Sequence, residues 1–151
     1  MRRWDVLTRI IREHGYGVGA EIGILRGRML NELLTDNPDL RMYAVDIEIT
    51  PEAERVFRFH RARVIPLRGD SVEMAAEVMD GMLDFAFIDA DHSEDAVSRD
   101  IAAWLPKVRS GGILTGHDYD NPLHVGVKPA VDAEFGSRVK TFRDYVWAVE
   151  L

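Results

Sequence analysis

The chain has 151 residues, 46% of them hydrophobic, enough for one sizeable core and too few for two large domains. It has no cysteine, which excludes disulfides, thiolate metal sites and a cysteine nucleophile. A formal net charge of −7, with its positive charge mostly on arginine, argues against a nucleic-acid partner. No apolar run reaches membrane-spanning length, and the arginines at positions 2 and 3 lead into no apolar signal region. The expectation is a single domain over residues 1–151, soluble and cytoplasmic, with no membrane partner.

In chain order, Trp4, Leu7, Ile10 and Ile11 share one face of a short helix that Gly15 and Gly17 end. Such a helix is too short for a substrate-binding cap domain. Val18 to Ile22 reads as a strand, followed by the turn Gly23-Ile24-Leu25-Arg26-Gly27. Met29, Leu30, Leu33 and Leu34 then recur at helical spacing. Glycines in such a turn let the backbone approach a ligand, and the helix start offers free N–H groups. The second strand is Met42 to Val45, ending on Asp46. Thr50-Pro51 opens a helix to about His60 as cap and first residue.

The third strand, Arg63 to Leu67, ends in Gly69-Asp70-Ser71, where Ser71 caps a helix expected to reach Met79. The fourth, Leu83 to Ile88, ends in Asp89-Ala90-Asp91-His92. Ser93 caps the next helix, whose buried stripe is Val97, Ile101 and Trp104. Ser110-Gly111-Gly112 reads as a break before a fifth strand, Ile113 to Thr115, ending in Gly116-His117-Asp118-Tyr119. A loop over 120–126, holding His124, precedes a helix from Val127 to Phe135. Val139 to Phe142 and Tyr145 to Val149 are expected to form a hairpin across two residues. Trp104 and Trp147 are expected in the core, and His14 and His60 at the surface. The pattern is α/β: seven strands in a mostly parallel sheet, covered by helices on both faces.

Ligands of open parallel sheets bind beyond the carboxyl ends of the strands. Those ends here carry the glycine turn, Asp46, Asp70-Ser71, Asp89 to His92, and His117-Asp118. A dinucleotide site fits poorly, because Ile22 stands where the third glycine after Gly17 and Gly19 belongs. Glu21 would repel a pyrophosphate and attract an ammonium. The turn therefore suits an adenosine ligand that carries an amino group and no phosphate.

From Val18 to Leu151 the chain resembles the class I S-adenosylmethionine (SAM)-dependent methyltransferases, which share a Rossmann-like domain. The resemblance rests on Glu21-Ile-Gly-Ile-Leu-Arg-Gly27, Asp46, Gly69-Asp70-Ser71, the run 87–93 and the run 110–119. The last two resemble a small bacterial and phage branch related to the cation-dependent O-methyltransferases of the catechol and caffeoyl-CoA type. This implies the sheet order 3-2-1-4-5-7-6 with a C-terminal antiparallel hairpin. It implies a cofactor site in which Gly23 and Gly27 face the methionine part, with Glu21 near its ammonium. Asp46 would bond the ribose hydroxyls. Asp70 would accept from the adenine amino group, with Ser71 beside it and Asp89 bordering the cofactor.

The resemblance further implies a divalent cation, Mg2+ or Mn2+, on Asp89, His117 and Asp118. His92 stands where those relatives carry a lysine base, so Asp89, His92 and His117 are the expected catalytic set. A histidine ligand favours manganese, iron or zinc over magnesium. The expected reaction is methylation of a hydroxyl on a small molecule or sugar, with a homodimer partner supplying a missing wall. Metal-free methylation of nitrogen or of a protein, and a non-catalytic module that keeps the SAM pocket, are the alternatives.

Overall fold

The computed structural model describes residues 1–151. Its elements are α1 (Arg3–His14), β1 (Val18–Ile22), α2 (Arg28–Asp36), β2 (Arg41–Asp46), α3 (Pro51–Phe59), β3 (Val64–Arg68) and α4 (Ser71–Ala75). They continue with β4 (Leu83–Ile88), α5 (Glu94–Trp104), β5 (Val108–Gly116), α6 (Val127–Phe135), β6 (Lys140–Thr141) and β7 (Trp147–Glu150). One sheet runs β3-β2-β1-β4-β5-β7-β6, the order the resemblance implied. The first five strands pair in parallel, while β7 runs antiparallel to β5 and β6 to β7.

Alternation along the strands divides the apolar residues between two faces. Met42, Ala44, Phe85 and Phe87 join a core with α1 and α2. Val45, Ala86 and Ile88 point the other way, into a core with α5 and α6. The central strands are thus apolar on both sides, as a sheet covered by helices on both faces requires, while the edge strands β3 and β6 are largely exposed. Trp104 and Trp147 are fully buried, as expected. No helix is long and apolar enough to cross a membrane.

Four local expectations need correction. Helix α4 stops at Ala75, and its N-cap is Asp70, not Ser71: Asp70 Oδ1 accepts the N–H groups of Val72 and Glu73 at 2.9 and 3.3 Å. A carboxylate one residue earlier reaches those donors and leaves the Ser71 hydroxyl out of the cap. Residues 109–112 form an irregularity inside β5, not a break: Leu83 pairs with Val108, and Phe85 with Ile113. The β6–β7 connection is longer than two residues: the Phe142 N–H donates to Val146 O at 2.8 Å around 143–145. Asp144 and Tyr145 there both adopt positive φ. His60 is buried rather than exposed, with Nε2 3.1 Å from Asn31 Oδ1 and Nδ1 3.0 Å from the Arg63 guanidinium.

Candidate active site

Every expected site residue sits at the carboxyl edge of the parallel strands or in the turn beyond it. Gly23 leaves β1 at φ 89°, and a Cβ there would lie 2.2 Å from the Asp89 carbonyl oxygen. Glycine is therefore required for the ends of β1 and β4 to meet. The carboxylate of Asp46, at the end of β2, holds the turn: Oδ2 accepts the N–H groups of Ile24 and Leu25 at 2.9 and 3.0 Å.

Two cavities open along this edge. One, of about 270 Å³, is lined by Ile22, Val45, Asp70, Ser71, Ala96 and Asp100, among others. The second, of about 700 Å³, is lined by Arg3, Glu21, Asp89, His92, His117 and Asp118 with parts of the glycine turn. Gly23, Asp46 and Asp91 line both, so the two are neighbouring parts of one cleft. Gly27 lines neither. Its φ of 73° and the nearness of Ala53 and Val56 explain the glycine, and its expected place against the cofactor does not follow from the structure.

Glu21 is buried, and its Oε2 has no hydrogen-bond partner. Burial, with repulsion from Asp89 and Asp46, pushes its carboxyl well above the ordinary glutamate range against the pull of Arg3. A buried acid with an unpaired oxygen, aimed into a cleft, is built for a donor that arrives with a ligand.

Beyond β4 and β5 the charged side chains converge. His92 Nε2 lies 2.8 Å from Asp118 Oδ2 and 3.5 Å from Asp89 Oδ1. His117 Nδ1 lies 3.1 Å from Asp118 Oδ2 and 3.8 Å from Asp89 Oδ1. Asp118 is buried at φ 62°, and Asn121 Nδ2 donates to its Oδ1 at 2.6 Å. Burial works to raise its carboxyl, but the hydrogen bonds from His117 and Asn121 and the charge of the histidines outweigh that and hold it well below the ordinary range. His92 moves the other way. Contact with Asp89, then the charge of Asp118, raises its imidazole against the effect of burial.

Asp89, His117 and Asp118 bring one ligand atom each within 4.8 Å of one another, and so do His92, Asp118 and His124. The His124 ring stacks on His92 at 3.9 Å. A mixed carboxylate and imidazole set suits manganese, iron or zinc.

Two residues here escape sequence reasoning. Arg3 reaches in from the start of α1, with Nη1 3.2 Å from His117 Nδ1 and 3.6 Å from Asp89 Oδ2. No pattern around residue 3 announces this, because it depends on how α1 packs. Asp100 sits on α5, 3% exposed, and accepts the Ser71 hydroxyl. Its spacing from Val97, Ile101 and Trp104 places it beside the buried stripe, and an acid there was the available signal. Burial raises its carboxyl against the Ser71 bond.

A family model described as "Methyltransferase domain" matches residues 20–119. No curated protein matches the chain. Among solved structures, the chain is similar to the O-methyltransferase TomG of Streptomyces achromogenes, involved in tomaymycin synthesis and solved with SAM. That match has 17% identity and TM-score 0.76 over 98% of this chain and 79% of that one. An O-methyltransferase of Bacillus cereus, solved with S-adenosylhomocysteine (SAH), matches at 19% identity and TM-score 0.74, over 99% and 80%. MycE of the mycinamycin pathway, solved with Mg and SAH, matches at 19% identity and TM-score 0.70, over 97% of this chain and 48% of its own. With residues 20–119 matched and the strands in this order, the chain belongs to the methyltransferase domain family, in its class I, SAM-dependent form.

Proposed function

We propose that the chain transfers the methyl group of SAM to a hydroxyl of a small molecule, a sugar among the candidates. The observation that carries this reading is the cleft itself. A cavity of about 270 Å³ leads past Asp46 into a larger one that holds the unpaired carboxyl of Glu21 and the Asp89–His92–His117–Asp118 cluster. The two O-methyltransferases of similar fold solved with SAM and SAH support the same cofactor and chemistry, and the MycE methyltransferase solved with Mg and SAH supports the cofactor and the cation.

SAM supplies an electrophilic methyl on sulfonium. The protein's part is placement and proton transfer. Asp70, Ser71 and the apolar wall around Ile22 and Val45 take the base, and Asp46 stands by the ribose. Glu21 meets the ammonium, which supplies the donor its orphaned oxygen lacks. His92, on the wall of the cleft, takes the acceptor's hydroxyl proton, and Asp89 and Asp118 beside its Nε2 stabilise the imidazolium that forms. Asp89, His117 and Asp118 fit a divalent cation of the manganese, iron or zinc kind, which would lower the pKa of the acceptor hydroxyl when bound.

One observation favours a second, metal-free reading: the Arg3 guanidinium already stands between Asp89 and His117 and supplies a positive charge there. Calorimetric titration with SAH, with and without Mn2+ and with NAD as control, tests the main reading. Micromolar affinity, about −8 kcal/mol, with NAD silent supports it. No binding of SAH overturns it. A chelator that leaves turnover unchanged selects the metal-free form.

A further inference from the structure

Asp100 is an unusual acid. It is 3% exposed, lines the smaller cavity together with Ser71, and its one hydrogen bond is the hydroxyl it accepts from Ser71. No cation closes on it. Arg99, its neighbour in sequence and in the cavity wall, turns to Asp95 at 3.3 Å. Asp70 turns Oδ1 to the start of α4 and keeps only Oδ2 for the cavity. Ser71 has one hydroxyl hydrogen, and it donates that to Asp100. What these two residues still offer the cavity is acceptors: the lone pairs of the hydroxyl and the second carboxylate oxygen.

We propose that Asp100 and Ser71 form an acceptor pair that selects a purine bearing an amino group at position 6, so that Asp100 sets the base specificity of the cofactor. This rests on reading the smaller cavity as the base pocket of SAM. A buried carboxylate with no cation is costly unless a donor arrives, and the 6-amino group of adenine is such a donor. A 6-oxo group in its place would set a lone pair against acceptors that have no proton left to give. Sites built to pair a polar group reject the analogue that cannot pair far more strongly than apolar walls reject a change of size. The walls at Ile22, Val45, Val72 and Ala96 hold the ring plane whatever its substituent. A mere strut between α4 and α5 would need the Ser71–Asp100 bond too, but it would be indifferent to the base.

The test is calorimetric titration of the full chain with SAH and with S-inosylhomocysteine, the same molecule with oxygen at position 6. The wild type is expected to bind SAH about tenfold to a hundredfold more tightly. Asp100→Asn places an amide donor beside position 6, so the ratio should fall to near one or invert. Ser71→Ala should also narrow it, and it carries the test if thermal denaturation shows that Asp100→Asn does not fold. A wild-type ratio near one, or a ratio that folded Asp100→Asn or Ser71→Ala leaves unchanged, overturns the proposal alone. A wild type that binds neither compound overturns the base-pocket reading and this proposal with it.

Discussion

Glu21 and Asp118 are both buried carboxyls at strand ends, and their surroundings drive them in opposite directions. Asp118 is surrounded by donors and cations, whereas Glu21 keeps an orphaned oxygen and two acidic neighbours. A folded-state pKa raised above the unfolded one contributes stability that is complete below the unfolded value, about 4.5, and is lost as pH rises through the folded value. Glu21→Gln removes that loss. The variant should match the wild type near pH 4 in urea denaturation and exceed it at pH 8 by about 1–3 kcal/mol, the scale of one unsatisfied buried group. Its affinity for SAH should fall, since the ammonium loses its carboxylate. Equal stability at both pH values would show that Glu21 already has a partner. Asp118→Asn keeps the left-handed backbone, which asparagine tolerates, but removes the anion. Mn2+ affinity, read by electron paramagnetic resonance, should drop at least about tenfold, because a charged ligand is lost. SAH affinity should not change. The His92 imidazole, followed by NMR, should titrate closer to its ordinary 6.5 because one of the charges raising it is gone. An unmoved His92 together with unmoved Mn2+ binding would remove Asp118 from the cluster's chemistry.

At the level of elements, the site depends on β1 and β4 ending side by side, and Gly23 allows that approach. Alanine at 23 would place its Cβ 2.2 Å from the Asp89 carbonyl and hold a residue with a Cβ at φ 89°. Gly23→Ala should therefore destabilise the chain by about 1–3 kcal/mol, as overpacking does, and weaken SAH binding, because the end of β4 has to shift. Full affinity in this variant would mean that the β1–β4 junction does not shape the cleft. Much of this arrangement was legible in the sequence. Apolar runs of strand length ended in glycine or aspartate, and Thr50 and Ser93 cap α3 and α5 where their hydroxyls precede the helical stripes. The missed details follow from geometry that spacing does not encode. Asp70 outcompetes Ser71 for the start of α4 because its carboxylate reaches two amides. The β6–β7 loop is set by the left-handed Asp144 and Tyr145, and a tyrosine does not announce that conformation. Asp100 shares a helical face with apolar neighbours, so periodicity files it with the core until the cavity beside it is visible.

Over the whole molecule, the most remote contribution to the site comes from α1. Its N-terminal end is fixed at the carboxyl edge of the sheet, where the Arg3 N–H donates to Asp144 Oδ2 of the β6–β7 loop at 2.8 Å and the Arg3 guanidinium enters the cleft. Its body is part of one of the two cores: Val6, Leu7, Ile10 and Ile11 are all buried against α2 and the sheet. Each such side chain contributes about 1.5–3 kcal/mol on burial, so the four amount to about 6–12 kcal/mol. The net stability of a domain is about 5–15 kcal/mol. The helix is therefore integral to the fold, and its service to the site is inseparable from its service to the core. A chain beginning at Gly15 should show no cooperative urea transition and should bind an apolar dye such as ANS, the signs of a collapsed state without fixed packing. A single change, Arg3→Gln, should leave the urea midpoint nearly unchanged, because it spares the four apolar residues. It should tighten Mn2+ binding, because the competing guanidinium is gone from beside Asp89 and His117. If the shortened chain unfolds cooperatively like the wild type, the core on that face closes without α1. If Arg3→Gln leaves Mn2+ affinity where it was, the guanidinium does not compete for the cation's place.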